Sequence, residues 1–270
     1  MAKLSKRANE RIVSGLKRFQ PILRNALARD VNESDTSVIV ADLLQDVFGY
    51  DKYSEISTEH MIRATFCDLA IKINNELALL VEVKAIGLDL KGKYVKQAID
   101  YAANQGTDWV VLTNGIKWNI YSVRFTKPIE HELVLSLNLL ELNARNSGHI
   151  DMLGLLAKEG WQKARLGEYR SQREALSRFV LGALITSDKV VNVIRRELRR
   201  ISPDVKLDSG EVVEVLREEV IKREVLEGDE SVAAAKRVKR FLSKKTAKRT
   251  VNKEKVEKRE RSPAVKAVND

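Results

Sequence analysis

Asp68, Glu82 and Lys84 are the residues with the most chemical content in this 270-residue sequence. They fall in or beside two strand-like runs, MIRATFCDLAIKI at 61–73 and LALLVEV at 77–83, separated by Asn74, Asn75 and Glu76. An odd-length loop centred on Asn75 pairs Leu69 with Val81 and Ile71 with Leu79. Cys67, Leu69, Ile71 and Ile73 then share a face with Val83, Val81, Leu79 and Leu77, and all eight are apolar. The other face sets Phe66, Asp68, Ala70 and Lys72 opposite Lys84, Glu82, Leu80 and Ala78. An even loop would mix the two sets, so strict alternation of side chains favours the odd one. That register puts Asp68 directly across from Glu82, with Cβ atoms roughly 5 Å apart. Lys84 follows on the same face, roughly 7 Å along the strand.

Two carboxylates facing each other on a largely apolar sheet repel, and burial adds a desolvation cost. A divalent cation relieves both. Carboxylate oxygens suit Mg²⁺, which keeps several waters and needs few protein ligands; Mn²⁺ is the expected substitute. A lysine beside such a site can orient an activated water or stabilise charge on a phosphoryl group. The competing reading is an exposed sheet face on which Lys84 and Lys72 simply balance the two acids.

Three helices are expected to position these groups. Ile12, Leu16, Phe19 and Leu23 fall at helical spacing in the basic first thirty residues. Residues 33–48 carry the stripe Val40, Leu43, Leu44 and Val47, with Asn32 as N-cap and Gly49 as the stop. Glu33 is in phase with that stripe and points toward the core side; its plain role would be to complement the helix dipole. Residues 89–105 form a third helix closed by Gly106, on which Gln97 and Tyr101 share a face with Tyr94 nearby. Gln97 could reach a phosphate or a metal-bound water, or be an ordinary packed amide. DWVVLT and IKWNIYSV read as strands joined by the hairpin signal Asn114-Gly115, while Leu133–Leu142 is ambiguous.

The result is an α/β layer fold to about residue 145. Residues 146–229 read as a helical domain, with SQREALSRFVLGALI, DKVVNVIRRELRRI and GEVVEVLREEVIKREVL each amphipathic. Asp188 and Asp208 sit where N-caps belong, the latter with Glu211 as a capping box. Residues 230–270 are a basic tail, expected to lack fixed structure beyond a helical start near 233–242. The chain carries a net charge of +10. Residues 231–270 hold 14 basic and four acidic side chains, which accounts for all of it. Such an arm favours a polyanion and should release it as salt rises. A single cysteine rules out an internal disulfide, and with only three scattered histidines it argues against tetrahedral zinc. No apolar run suits a membrane span, and the N-terminal residues lack a signal-peptide core, so a cytoplasmic location is expected.

Taken in order, Glu33, Asp68, Glu82-Val83-Lys84 and Gln97-Ala-Ile-Asp-Tyr101 resemble the motif set of the PD-(D/E)XK nuclease superfamily. DLAIKINNELALLVEVKAIGLDL and YVKQAIDYAANQGTDWVVLTNGIKWNIY are most similar to the N-terminal nuclease domain of type I restriction enzyme R subunits. The resemblance covers residues 25–140. It implies a restriction-endonuclease-like core, a mixed sheet flanked by helices, followed here by a C-terminal helical segment. It implies Mg²⁺ held by Asp68, Glu82 and the Val83 carbonyl, with Lys84 positioning water. Glu33, Gln97 and Tyr101 would complete the catalytic set, Glu33 as a further acid and the other two beside the scissile phosphate. Cys67 stands where the superfamily name has proline, a position that varies. R subunits continue into a helicase-type translocase; the residues after 145 do not read as one, so a self-contained restriction motor is not expected. Gly87–Tyr94 nearly fits a phosphate-binding loop, but Tyr94 is too long to replace the small hydroxyl that binds Mg²⁺.

The expected function is Mg²⁺-dependent endonucleolytic hydrolysis of DNA in restriction, defence or repair, with RNA an alternative substrate. The competing reading is a catalytically silent nucleic-acid-binding or regulatory module on a nuclease-like fold. A homodimer would suit two-strand cutting, and the helical domain could dock a protein partner.

Overall fold

Helix α1 (Lys6–Ala28) turns one apolar stripe inward: Ile12, Leu16, Phe19 and Leu23 are all buried. The Ser5 hydroxyl caps it, accepting from the Ala8 N–H at 3.2 Å. Helix α2 (Glu33–Asp46) starts where the sequence indicates, with the Asn32 side chain accepting from the Asp35 N–H at 2.8 Å. The computed structural model describes residues 4–62 and 65–242. They belong to two compact units, Met1–Arg170 and Ser171–Asp270.

The first unit is built on one mixed six-stranded sheet in the order β1-β2-β3-β4-β5-β6. The strands are β1 (Ile56–Ile62), β2 (Thr65–Ile73), β3 (Glu76–Val83), β4 (Trp109–Thr113), β5 (Lys117–Arg124) and β6 (Glu130–Asn138). Only β3 and β4 pair in parallel, because helix α3 (Gly92–Gln105) carries the chain across between them. The other neighbours are antiparallel. Helices therefore flank a mixed sheet, an α/β arrangement compatible with a restriction-endonuclease-like core.

Three sequence expectations about strands need correction. The run from Met61 is not one strand: β1 ends at Ile62 and β2 begins at Thr65, so a strand starting at Ile56 had been missed. The segment around Leu133 resolves as β6. The loop between β2 and β3 is also not odd. Asn74 and Asn75 sit at φ 53° and 66° in a two-residue turn, with Ile73 opposite Glu76. Those positive angles suit a type I′ hairpin, whose twist matches the strands. A bulge between Ile71 and Lys72 then restores the other register, pairing Leu69 with Val81 and Ile71 with Leu79. The expected pairing holds from Leu69↔Val81 to Ile71↔Leu79, but two of the eight apolar residues leave the expected face: Leu77, near the turn, and Cys67, beside Asp68, both pack in the layer of α3.

The sheet separates two cores. On one face α1 and α2 pack over Leu69, Ile71, Val81, Val83, Val111 and Ile120. On the other, α3 presents Ala98, Ile99, Tyr101 and Ala102 to Cys67, Ala70, Leu80, Val110 and Leu112. Helix α3 begins at Gly92 rather than 89, after a turn in which the Lys91 N–H donates to the Asp89 carbonyl. It ends at Gly106 in the left-handed region.

The boundary expected near 145 falls later. Helices α4 (Ser147–Leu153) and α5 (Lys158–Gln162) complete the first unit, burying Leu153, Leu155, Leu156 and Ala157. The Tyr50 hydroxyl donates to the Leu156 carbonyl at 2.9 Å. Arg11 forks onto Glu159 at 2.8 and 2.7 Å. Gly160 is required because a Cβ there would strike the Gly154 carbonyl oxygen.

Helix α6 (Arg165–Ala175) crosses the unit boundary. The second unit continues with α7 (Arg178–Ile185), α8 (Asp188–Ile201), α9 (Ser209–Val215), a π-helical turn (Leu216–Val220), α10 (Arg223–Leu226) and α11 (229–242). Two expected single helices are broken. Ser177 caps a new helix inside the first, and Ile221 adopts extended backbone inside the last. Asp208 and Glu211 form the capping box, but Ser187, not Asp188, is the N-cap of α8. The helical start of the basic tail is α11; the expectation for 243–270 lies outside the described residues. No helix among the described residues is long and apolar enough to cross a membrane.

Candidate active site

The site lies at the carboxyl end of β3, where the chain leaves the sheet for the crossover to α3. Backbone pairing of β2 with β3 runs from Leu69↔Val81 to Ile73↔Glu76. One step beyond it, the Asp68 side chain replaces a ladder bond: its Oδ2 accepts from the Val83 N–H at 2.7 Å. That contact fixes Asp68 beside the end of β3.

Glu82 is 1% exposed and Lys84 6% exposed. This burial removes the exposed-face reading, in which surface lysines merely balance surface acids. The Lys84 ammonium contacts Glu82 Oε1 at 2.8 Å and Glu33 Oε1 at 3.2 Å. Glu33 comes from the first turn of α2, on the opposite layer, and can reach because Lys84 stands just past the last residue of β3. The Lys84 backbone is pinned too, its N–H donating to the Thr113 carbonyl at 2.8 Å.

Glu82 Oε2 is buried without a hydrogen-bond partner. Desolvation, then the nearby Asp68 charge, push the Glu82 carboxyl up to about 7 despite its bond to Lys84. Desolvation also raises Asp68, partly opposed by the Val83 N–H and by Lys84. Glu82 and Glu33 outweigh burial at Lys84 and raise the ammonium above its usual value. The acids therefore compete for too little positive charge.

Helix α3 closes the site from the side. Gln97 Nε2 donates to the Tyr101 hydroxyl at 3.1 Å. Burial raises the Tyr101 phenol, and the charges of Glu82, Cys67 and Asp68 push it the same way. Lys84 Nζ lies 5.6 Å from the centre of the Tyr94 ring, and Lys93 Nζ lies 4.7 Å from it. Every one of the six side chains singled out in sequence thus joins this neighbourhood. Tyr94 makes closer contact than its sequence position suggests.

One contributor was hidden. Asn114 reads as a turn residue, yet it is 5% exposed and uses both ends of its amide. Its Nδ2 donates to the Ile86 and Leu88 carbonyls at 3.1 and 2.9 Å, holding the segment that follows Lys84. Its Oδ1 accepts from the Ile116 and Lys117 N–H groups at 3.1 and 2.8 Å. The neighbouring Gly115, at φ 81°, completes the turn. Nothing in the Asn-Gly signal announces the second task.

The donor set fits a hard divalent cation. Asp68 and Glu82 bring carboxylate oxygens, one of them buried and unpartnered. Among the described residues no group of three or more acidic, histidine or cysteine side chains is arranged around one ion.

No curated protein and no solved structure matches the chain. Residues 39–134, however, match the family model of the type I restriction enzyme R protein N terminus, consistent with a nuclease-like domain of that kind, and the stretch contains Asp68, Glu82, Lys84, Gln97 and Tyr101.

Proposed function

We propose that this protein is a Mg²⁺-dependent nuclease that hydrolyses DNA phosphodiester bonds, in restriction or repair. The observation that carries the reading is the buried, unpartnered Glu82 Oε2 beside Asp68 and Lys84. Burying a carboxylate oxygen without a partner costs free energy that a fold would not retain for packing alone. The family similarity supports a nucleic-acid substrate.

In this reading Asp68, Glu82 and the Val83 carbonyl hold the ion. Bound Mg²⁺ would neutralise the paired carboxylates and polarise the scissile phosphate. Lys84 orients the attacking water and offsets charge on the phosphoryl oxygens. Glu33 holds the ammonium from the α2 side. Gln97 and Tyr101 line the α3 side, where the amide can donate to a phosphate oxygen.

The test is cleavage of plasmid DNA with Mg²⁺, and with Mn²⁺ as substitute, against an EDTA control. Asp68→Ala and Lys84→Ala should each cut at least ~100-fold more slowly, in line with loss of a group that stabilises transition-state charge. Equal cutting by variants that remain folded removes the proposed site.

One observation favours a second reading, a catalytically silent nucleic-acid-binding or regulatory module. Lys84 is already committed to two carboxylates, so the site partly neutralises itself. Failure of the wild type to cut duplex DNA, single-stranded DNA and RNA, together with no Mg²⁺ binding by calorimetry, would select it.

A further inference from the structure

The unit with the candidate active site is almost neutral. Residues 1–170 hold 23 basic and 21 acidic side chains. Residues 171–242 hold 15 basic and 13 acidic side chains, a balance equal to that of residues 1–170, and residues 243–270, outside the described residues, hold ten basic and four acidic ones. Within that second unit the signs are segregated along the chain. Residues 208–230 contain nine acidic and three basic side chains, and α11 then reverses the sign with Lys236, Arg237, Lys239 and Arg240.

Helix α11 is docked onto its own unit. Ala234 is buried, Val238 and Leu242 are half-buried, and these three recur at helical spacing along one side. Ala235, Val238 and Leu242 share a cleft with Ala183 and Thr186 at the end of α7. Arg237 is tied to Glu174 at 3.1 Å. The outward side carries Lys236 and Lys239, both exposed. Lys239 lines the same cleft as the exposed Lys189 of α8. Among the described residues, Lys189, Lys236 and Lys239 take part in no ion pair.

We propose that this face, Lys189, Lys236 and Lys239, binds the phosphate backbone of nucleic acid. The inference extends the nuclease reading but does not need turnover. A docked helix presents its ammonium groups already spaced, so less side-chain and backbone freedom is lost than on a free chain. Phosphate neutralisation releases condensed counterions, and each contact adds to the salt dependence. An anionic lipid surface would also attract the lysines. Nucleic acid is favoured because the same chain carries a candidate phosphodiester site.

The experiment uses the full chain in EDTA, so that binding is read without cleavage. Fluorescence anisotropy of a short labelled DNA duplex is followed across a salt series. The variant Lys189→Gln/Lys236→Gln/Lys239→Gln should bind more than tenfold more weakly at low salt. The slope of log affinity against log salt should fall in magnitude by about 2 to 3. A control with the same charge loss, Lys17→Gln/Lys117→Gln/Lys127→Gln on exposed positions of the first unit, should change neither by much. Circular dichroism confirms that both remain helical. Equal weakening by the control overturns the proposal, since total charge and not this face would be responsible. So does wild-type binding by the first triple variant, or wild-type capture by phosphatidylglycerol–phosphatidylcholine vesicles without duplex binding. Duplex binding through this face by a protein that never cuts would leave the inference standing and remove the nuclease reading alone.

Discussion

Replacing Glu82 by glutamine should stabilise the metal-free protein, and only at neutral to alkaline pH. Burial and Asp68 raise the Glu82 carboxyl from 4.5 to about 7, with Lys84 already counted against them. The folded state therefore holds the proton more tightly than the unfolded chain. Its contribution is fully present below pH 4.5, declines as pH rises and is lost above about 7. A shift of this size corresponds to about 3 kcal/mol of cost for the ionised form at pH 8. Glutamine keeps the shape of the neutral acid and cannot ionise. Trp109, Trp118 and Trp161 all lie in the first unit, so tryptophan fluorescence during urea unfolding reports that unit alone. In EDTA the Glu82→Gln variant should gain on the wild type by about 1 kcal/mol per pH unit between pH 5 and 7, then level off. Mg²⁺ should narrow the gap by stabilising only the wild type. A difference between the two proteins that is flat from pH 5 to 8 would refute the argument, because a buried acid under this strain must show its titration in stability.

Lys84→Met should act in the opposite sense: it leaves Glu82 and Glu33 without their shared cation, costing roughly 3–5 kcal/mol above pH 7 and much less at pH 5. The same urea titrations measure it. Asn114→Ala removes four hydrogen bonds, two of which hold the segment after Lys84, and should cost about 2–4 kcal/mol in first-unit stability. Amide exchange should speed up around residues 85–91, and protection equal to wild type there would count against the assigned role. Arg11→Ala should cost about 1–3 kcal/mol by removing the fork onto Glu159 and the bonds to the Val47 and Phe48 carbonyls. Faster tryptic cleavage at Lys158 and Lys163 is the expected sign that α5 has loosened.

Local periodicity made much of this legible before any coordinates. The stripe of α1, the Asn32 cap, the Asn114-Gly115 hairpin and the Asp208 capping box depend on neighbours within a turn or two, and each appears as read. The nearness of Asp68 to the Glu82–Val83 end of β3 was also accessible, because alternation along two strands constrains register wherever one face is apolar. It was reached through the wrong loop. A two-residue turn plus a bulge gives the same pairing next to the acids as an odd loop would, and alternation near the turn cannot tell them apart. The missed β1 and the late unit boundary have a common cause. Both are settled by what packs on what, as when Leu155, Leu156 and Ala157 bury themselves against the first unit.

The sequence by itself determined the order and spacing of the ionisable groups, the strand alternation that aligns two of them, and the confinement of excess positive charge to the C-terminal end. Tertiary structure decided that Glu33 from one layer meets Lys84 from another, that Glu82 is sealed from water with one oxygen unpartnered, and that Asn114 braces the segment that follows Lys84. The reason is physical. Side-chain direction along a helix or strand follows from backbone geometry a few residues long, whereas burial and contact between layers depend on crossovers that bring residues 51 positions apart within 3.2 Å.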